Sequence, residues 1–217
     1  MIRKSMRLSV SIALLAALAA CGNDRPEGGS TLGIMGKAAT QIVAQRKASS
    51  QPAPARDPAE MAASALRVNP GPLIMVTLES MGTTQVMAMT GENNGMRTYM
   101  TPNEQAVILR NGLLVATRGL GNDLSVAEAS GPASLILAGR SGEAKRVMRY
   151  YSGDGLERPL PLDCRVGPGP KAGVTIESCE GFGAKIQNNY IVSGGRATVS
   201  RQWAGPKLGY LTIQTLR

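Results

Sequence analysis

Histidine is absent from this 217-residue chain, and aromatic residues make up only 3% of it. The first absence removes Ser-His-Asp and Cys-His catalysis, imidazole bases and histidine-metal sites. The three cysteines are too few to close an all-cysteine tetrahedral zinc site. With one Trp, one Phe and five Tyr, the core must be built from aliphatic side chains and the eleven methionines. Acids are also scarce, 15 against 24 Lys+Arg, which leaves a formal charge of +9. The basic residues are dispersed rather than run together, so a nucleic-acid partner has little support. No cofactor-binding motif stands out. Gly119-Leu-Gly121-Asn-Asp lacks the third glycine and the following helix of a dinucleotide loop, and reads as a turn capped by Asn122 or Asp123.

What is present begins at the N-terminus. Met1 to Arg7 carries Arg3, Lys4 and Arg7 and no acid, and Leu8 to Ala20 is small or apolar throughout. That apolar run is too short to cross a bilayer, which needs about 20 residues, and it has the layout of a signal peptide. It ends in Leu18-Ala19-Ala20-Cys21, which resembles the bacterial lipoprotein signal, the lipobox. The resemblance implies that the Cys21 thiol is alkylated by diacylglycerol and that the chain is cut before it. Ordinary secretion is the competing reading, because Ala17-Leu18-Ala19 also fits a small-x-small cleavage site. Several acyl chains on one residue exceed the two signals that stable anchoring requires, so a membrane-tethered protein is expected. Loss of residues 1–20 takes 24 cations to 21 against 15 acids, a net +6. Gly22 follows Cys21 in place of the Asp that resembles an inner-membrane retention signal, which points to the outer membrane facing the periplasm.

Cys164 and Cys179 remain, with fourteen residues between them. Export places them in an oxidising compartment, where an even pair reads as one structural disulfide. A redox dithiol would be expected to show C-x-x-C spacing, which they lack.

The rest of the chain divides by composition. Residues 21–31 read as a flexible tether with a span of about 17 Å. Residues 32–48 read as a short helix, with Ile34, Met35, Ala38, Ala39, Ile42 and Val43 at helical spacing, lying either on the membrane or on the domain. Residues 49–65 read as a linker, rich in Pro and Ala at its start. Residues 66–217 show short alternating runs and turn signals without long helices, which predicts an all-β domain, an antiparallel meander forming a barrel or sandwich. Asn111-Gly112 between apolar runs predicts a tight hairpin. Charges on both faces between Glu143 and Arg149 suggest an edge strand.

Two stretches, Asn111-Gly112 through Leu124 and Asn188 through Val192 with Ser200-Arg-Gln-Trp203 and Leu208-Gly-Tyr210, carry a wider resemblance. With the lipobox and the cysteine pair, they resemble the YjbF/GfcB-like lipoproteins of group 4 capsule and exopolysaccharide loci. The chain departs from that pattern at Tyr99 and Ile191, where the family often has Trp. The resemblance implies a β-rich periplasmic lipoprotein that takes part in polysaccharide secretion or assembly. Its partners would be the membrane, through the lipid, together with anionic polysaccharide and outer-membrane export components.

Candidate contact residues follow. Arg118 and Asp123 read as an ion pair holding a turn or as a contact to an anionic sugar. Arg201 is read on one strand face with Ala197, Val199 and Trp203, and pairs with Glu177 or Glu180 or forms a glycan-contact patch with Trp203 and Tyr210. A carboxylate-dependent polysaccharide-modifying enzyme is the alternative class, with Asp123, Asp154, Glu177 and Glu180 as its acids. A generic structural envelope lipoprotein is a third. The scarce aromatics offer few stacking faces for a sugar-processing cleft, so the expectation is a non-enzymatic protein.

Overall fold

The computed structural model describes residues 56–151 and 153–217. Cys21, the tether and the segment 32–48 lie outside the described residues. The described part is one twelve-stranded antiparallel sheet curled into a nearly closed barrel, as the alternating runs predict. The strands are β1 (Leu73–Leu78), β2 (Thr83–Asn93), β3 (Met96–Met100), β4 (Ala106–Arg110), β5 (Leu113–Arg118), β6 (Leu124–Glu128), β7 (Gly142–Tyr151), β8 (Glu157–Pro168), β9 (Val174–Gly181), β10 (Ala184–Ser193), β11 (Arg196–Gly205) and β12 (Gly209–Thr215). Two helices accompany them, α1 (Pro58–Val68) and α2 (Ser130–Leu137). Among the described residues no helix is long and apolar enough to cross a membrane.

The sheet order is β5-β4-β3-β2-β1-β12-β11-β10-β9-β8-β7-β6. Every neighbour pair is a chain neighbour except β1–β12, so the fold is a meander whose two ends meet in the middle of the sheet. The seam falls between β5 and β6, joined by the turn at 119–123. Most of the interior is one aliphatic cluster that includes Leu78, Met87, Leu124, Met148 and Leu211. A smaller cluster joins Ile136 of α2 to Leu113, Val166, Tyr190 and Ala197 of the sheet.

Local sequence explains most elements. Asn111 and Gly112 both take positive φ, 51° and 79°, which suits the tight hairpin between β4 and β5. Gly112 is also needed for contact, since a Cβ there would lie 1.9 Å from the carbonyl oxygen of Ala197. Helix α1 starts at Asp57, whose side chain accepts from the Ala59 N–H at 2.8 Å, with Pro58 in the first turn where its missing N–H costs nothing.

Two sequence expectations need correction. Residues 58–65, read as the end of a linker, are the body of α1, because Pro58 serves as a helix start rather than a break. The strand carrying Glu143 to Arg149 is not an edge: β7 lies between β6 and β8. Its inward charge, Arg146, is neutralised inside the barrel instead of facing solvent. Strand β8 carries Pro159 and Pro161, which argue against a central strand. Both fall beyond the last β8–β9 pair at Asp163, where β8 pairs with β7 alone and its missing donors are tolerated.

Candidate functional site

The barrel carries two polar centres. The first is internal. Arg146 projects inward from β7 and reaches across β8 to Glu177 on β9. Its Nε donates to Oε1 at 3.0 Å and its Nη2 to Oε2 at 2.9 Å. The same Oε2 accepts from Tyr190 Oη and from Asn188 Nδ2, both at 2.8 Å. The side chains of Arg146 and Glu177 are 1% and 0% exposed, so the pair is fully desolvated. Burial works against the Arg146 charge, but the carboxylate of Glu177 outweighs it and holds the guanidinium ionised. Burial, reinforced by Glu177, pushes the Tyr190 phenol well above its ordinary value, so it stays a neutral donor.

Beside this cluster Cys164 and Cys179 stand directly opposite each other on β8 and β9 and form the expected disulfide. Their sulfurs lie close enough to Glu177 to outline three ligands for a metal. With the sulfurs bonded to each other and Glu177 taken up by four donors, these residues offer no thiolate and no free carboxylate.

The second centre is on the outer face. Arg201 of β11 meets Glu79 in a two-pronged pair, Nε to Oε1 at 2.9 Å and Nη2 to Oε2 at 2.7 Å. Thr212 Oγ1 donates to the same carboxylate at 2.9 Å. The hydrogen bonds from Arg201, joined by the one from Thr212, hold Glu79 below its ordinary carboxylate value despite partial burial. The Arg201 guanidinium lies 3.5 Å from the centre of the Tyr210 ring. Tyr210 Oη in turn accepts the N–H of Gln187 on β10 at 3.1 Å. Arg201 is thus held between Glu79 and the Tyr210 ring.

Next to Arg201 a groove of about 470 Å³ runs over β9, β10 and β11. Register builds its floor: Val174, Ile191 and Val199 are cross-strand partners in one row, and Ile176, Asn189 and Arg201 form the next. The larger concavity, about 1010 Å³ over β7 to β9, is a different surface. Its charges are already paired, Glu143 with Arg165 and Lys145 with Asp163.

The sequence-predicted residues separate into distinct places. Arg201 and Tyr210 are brought together on the surface. Trp203 is not with them on that surface: it is 8% exposed, packs edge-on to Tyr150 and belongs to the core. The expected partner of Arg201, Glu177 or Glu180, is Glu79, supplied from 122 residues away. The shared face also differs, because a bulge at the start of β11 turns Ala197 inward while Val199 and Arg201 stay outside.

Arg118 and Asp123 do not form an ion pair. Asp123 caps the turn, accepting from Gly119 N, Leu120 N and Thr117 Oγ1 at 2.8, 3.2 and 2.8 Å. Arg118 donates to the carbonyls of Thr117, Leu124 and Ser125. Both therefore pin the seam where β5 passes to β6. Farther down the seam Gln202 does the same from β11: its Oε1 accepts from Leu114 N at 2.8 Å and its Nε2 donates to Gly112 O at 3.0 Å. Asp154 pairs with Arg158, and Glu180 with Lys185.

Glu79, Arg146, Asn188 and Gln202 were missed in the sequence. Arg146 had a readable signal: Ala144, Met148 and Tyr150 share its strand face, so an arginine among them needs an acid. Gln202 had none, since its partners are backbone atoms about 90 residues away.

No curated protein matches the sequence. Among solved structures, the hypothetical lipoprotein YmcC from Escherichia coli (K12) has the same fold, with a TM-score of 0.61 at 16% identity over 88% of this chain and 98% of that one. The family model described as group 4 capsule polysaccharide lipoprotein GfcB, YjbF matches residues 36–216. That match takes in the barrel with both of its polar centres, and the chain belongs to this family.

Proposed function

We propose that the protein is an outer-membrane-anchored periplasmic lipoprotein, held by lipid on Cys21, that serves as a non-enzymatic accessory factor in capsule or exopolysaccharide secretion or assembly. Family membership supports the polysaccharide context. The observation that carries the non-enzymatic part is the state of Glu177. Among the described residues it is the one acid in the interior, and both its oxygens are consumed by Arg146, Tyr190 and Asn188. A glycosidase needs two carboxylates flanking a bond. Among the described residues the two acids that face each other across strands, Asp163 and Glu180, are exposed and each is paired with a lysine. They lie in an open concavity, not in a pocket that excludes water.

Deletion of the gene tests the reading. Secreted polysaccharide is expected to fall, and a chain carrying Glu177→Gln that still folds is expected to restore it. Unchanged secretion on deletion overturns the proposal. Cys21→Ala is expected to move the protein out of the membrane fraction, and its retention there would overturn the lipid anchor.

A further inference from the structure

The outer groove over β9 to β11 has a composition that the fold does not require. The outer face of a soluble barrel is normally polar. Here Val174, Ile191 and Val199 line up across three strands, with Ile191 and Val199 43% and 36% exposed. No Asp or Glu lines the groove, while Lys171 and Arg201 do. Lys171 has no carboxylate within ion-pair distance among the described residues, so its charge is available. Between the aliphatic side chains and Arg201 sits Asn189, whose Oδ1 is buried and accepts no hydrogen bond from the protein. An acceptor left without a partner is costly, by about 1–3 kcal/mol, and is relieved by a donor from water or from a ligand in the groove.

These features select among occupants. A peptide adding as a strand needs a free backbone edge, yet β9, β10 and β11 are each paired on both sides. A bilayer is flat, whereas the floor is concave and interrupted by Gln187, Asn189 and Thr212. A sugar chain presents C–H faces to aliphatic side chains, hydroxyl donors to an orphaned amide oxygen and, if acidic, carboxylates to cations. We infer that this groove binds a segment of acidic, uronate-containing polysaccharide, with Lys171 as the charge contact, Asn189 Oδ1 as the hydroxyl acceptor and the Val174, Ile191 and Val199 row as the floor. This rests on the proposed role in polysaccharide secretion and assigns the contact to a definite surface. Arg201 lends shape and residual positive potential, since Glu79 already takes its hydrogen bonds.

The test uses the full chain in detergent with hexagalacturonate as probe, its carboxyl-reduced neutral counterpart as control, and titration calorimetry together with methyl NMR. The acid oligomer is expected to bind and to shift the methyls of Val174, Ile191 and Val199. Carboxyl reduction, Lys171→Glu and Ile191→Asp are each expected to weaken binding about tenfold or more, with melting temperatures unchanged. Added salt weakens binding as exposed charges are screened. Equal binding of the reduced oligomer, shifts confined to another surface, no binding of the acid oligomer, or self-association of the chain through these methyls would each overturn the inference. Its failure is separable from that of the functional reading. If deletion abolishes secretion but Lys171→Glu and Ile191→Asp bind the acid oligomer as tightly as the parent chain, the groove assignment falls and the accessory role stands.

Discussion

Two arginine–glutamate pairs of the same chemistry, Arg146–Glu177 inside the barrel and Arg201–Glu79 outside it, do different work. Both are two-pronged, with the shorter contacts at 2.9 and 2.7 Å. Inside, exposure is 1% and 0%; outside, it is 38% and 32%. In water each ion keeps much of its hydration and the pair is worth little. In the interior each ion has lost its hydration, so its only stabilisation comes from the partner and the surrounding donors. The interior pair therefore specifies how β7, β9 and β10 pack, whereas the exterior pair mainly orients Arg201 against Tyr210. Geometry alone would rank the two together; burial separates them.

The largest effect is expected from breaking the interior pair. Glu177→Ala should cost about 3–5 kcal/mol in a urea melt, because it strands a buried guanidinium. The double change Arg146→Met with Glu177→Leu should recover most of that loss, and failure to recover would show that the pair does more than neutralise itself. Replacing both Cys164 and Cys179 by Ala tests the neighbouring bridge and should cost about 3 kcal/mol by the chain-entropy argument. Gln202→Leu should cost about 1–3 kcal/mol, since Leu114 N and Gly112 O lose their partner at the seam; faster amide exchange at Leu114 would locate the damage.

The exterior pair should contribute least. Arg201→Ala is expected to lower stability by about 0–1 kcal/mol in melts. Unfolding by this substitution would remove the support for a surface role. The pH dependence has a definite sign. Glu79 is depressed below its ordinary value of 4.5, so its contribution is complete above that pH. It is lost as pH falls through the lowered folded-state value. An acid titration of Arg201→Ala and of the parent chain should therefore converge at low pH and differ slightly near neutrality.

Much of the fold was legible because its signals are local. Alternation placed most strands, and Asn111-Gly112 marked a hairpin through the backbone demands of a two-residue turn. Asp123 capped its turn as the spacing suggested. Strand β8 was not legible, because its prolines argue against a strand unless one knows that its outer end lacks a second neighbour. Helix α2 was missed in a stretch where Gly131 and Pro132 interrupt any clear periodicity. At the candidate sites the residue types were readable but their partners were not. Arg201 was singled out, yet nothing local to it points to Glu79, and the choice between core and surface for Trp203 was decided only by its contact with Tyr150.

The sequence by itself determined the signal-like N-terminus, the pairing of the last two cysteines, the all-β class and the exclusion of histidine chemistry. Each of these depends on residue type and short spacing, which a chain carries before it folds. The tertiary structure decided which acid each arginine meets, how Arg118, Asp123 and Gln202 hold the seam, and where Val174, Ile191, Val199 and Asn189 come together. Those outcomes depend on strand register and barrel closure, which bring together atoms from as far as 122 residues apart. A one-residue slip or a single bulge changes the face a side chain occupies.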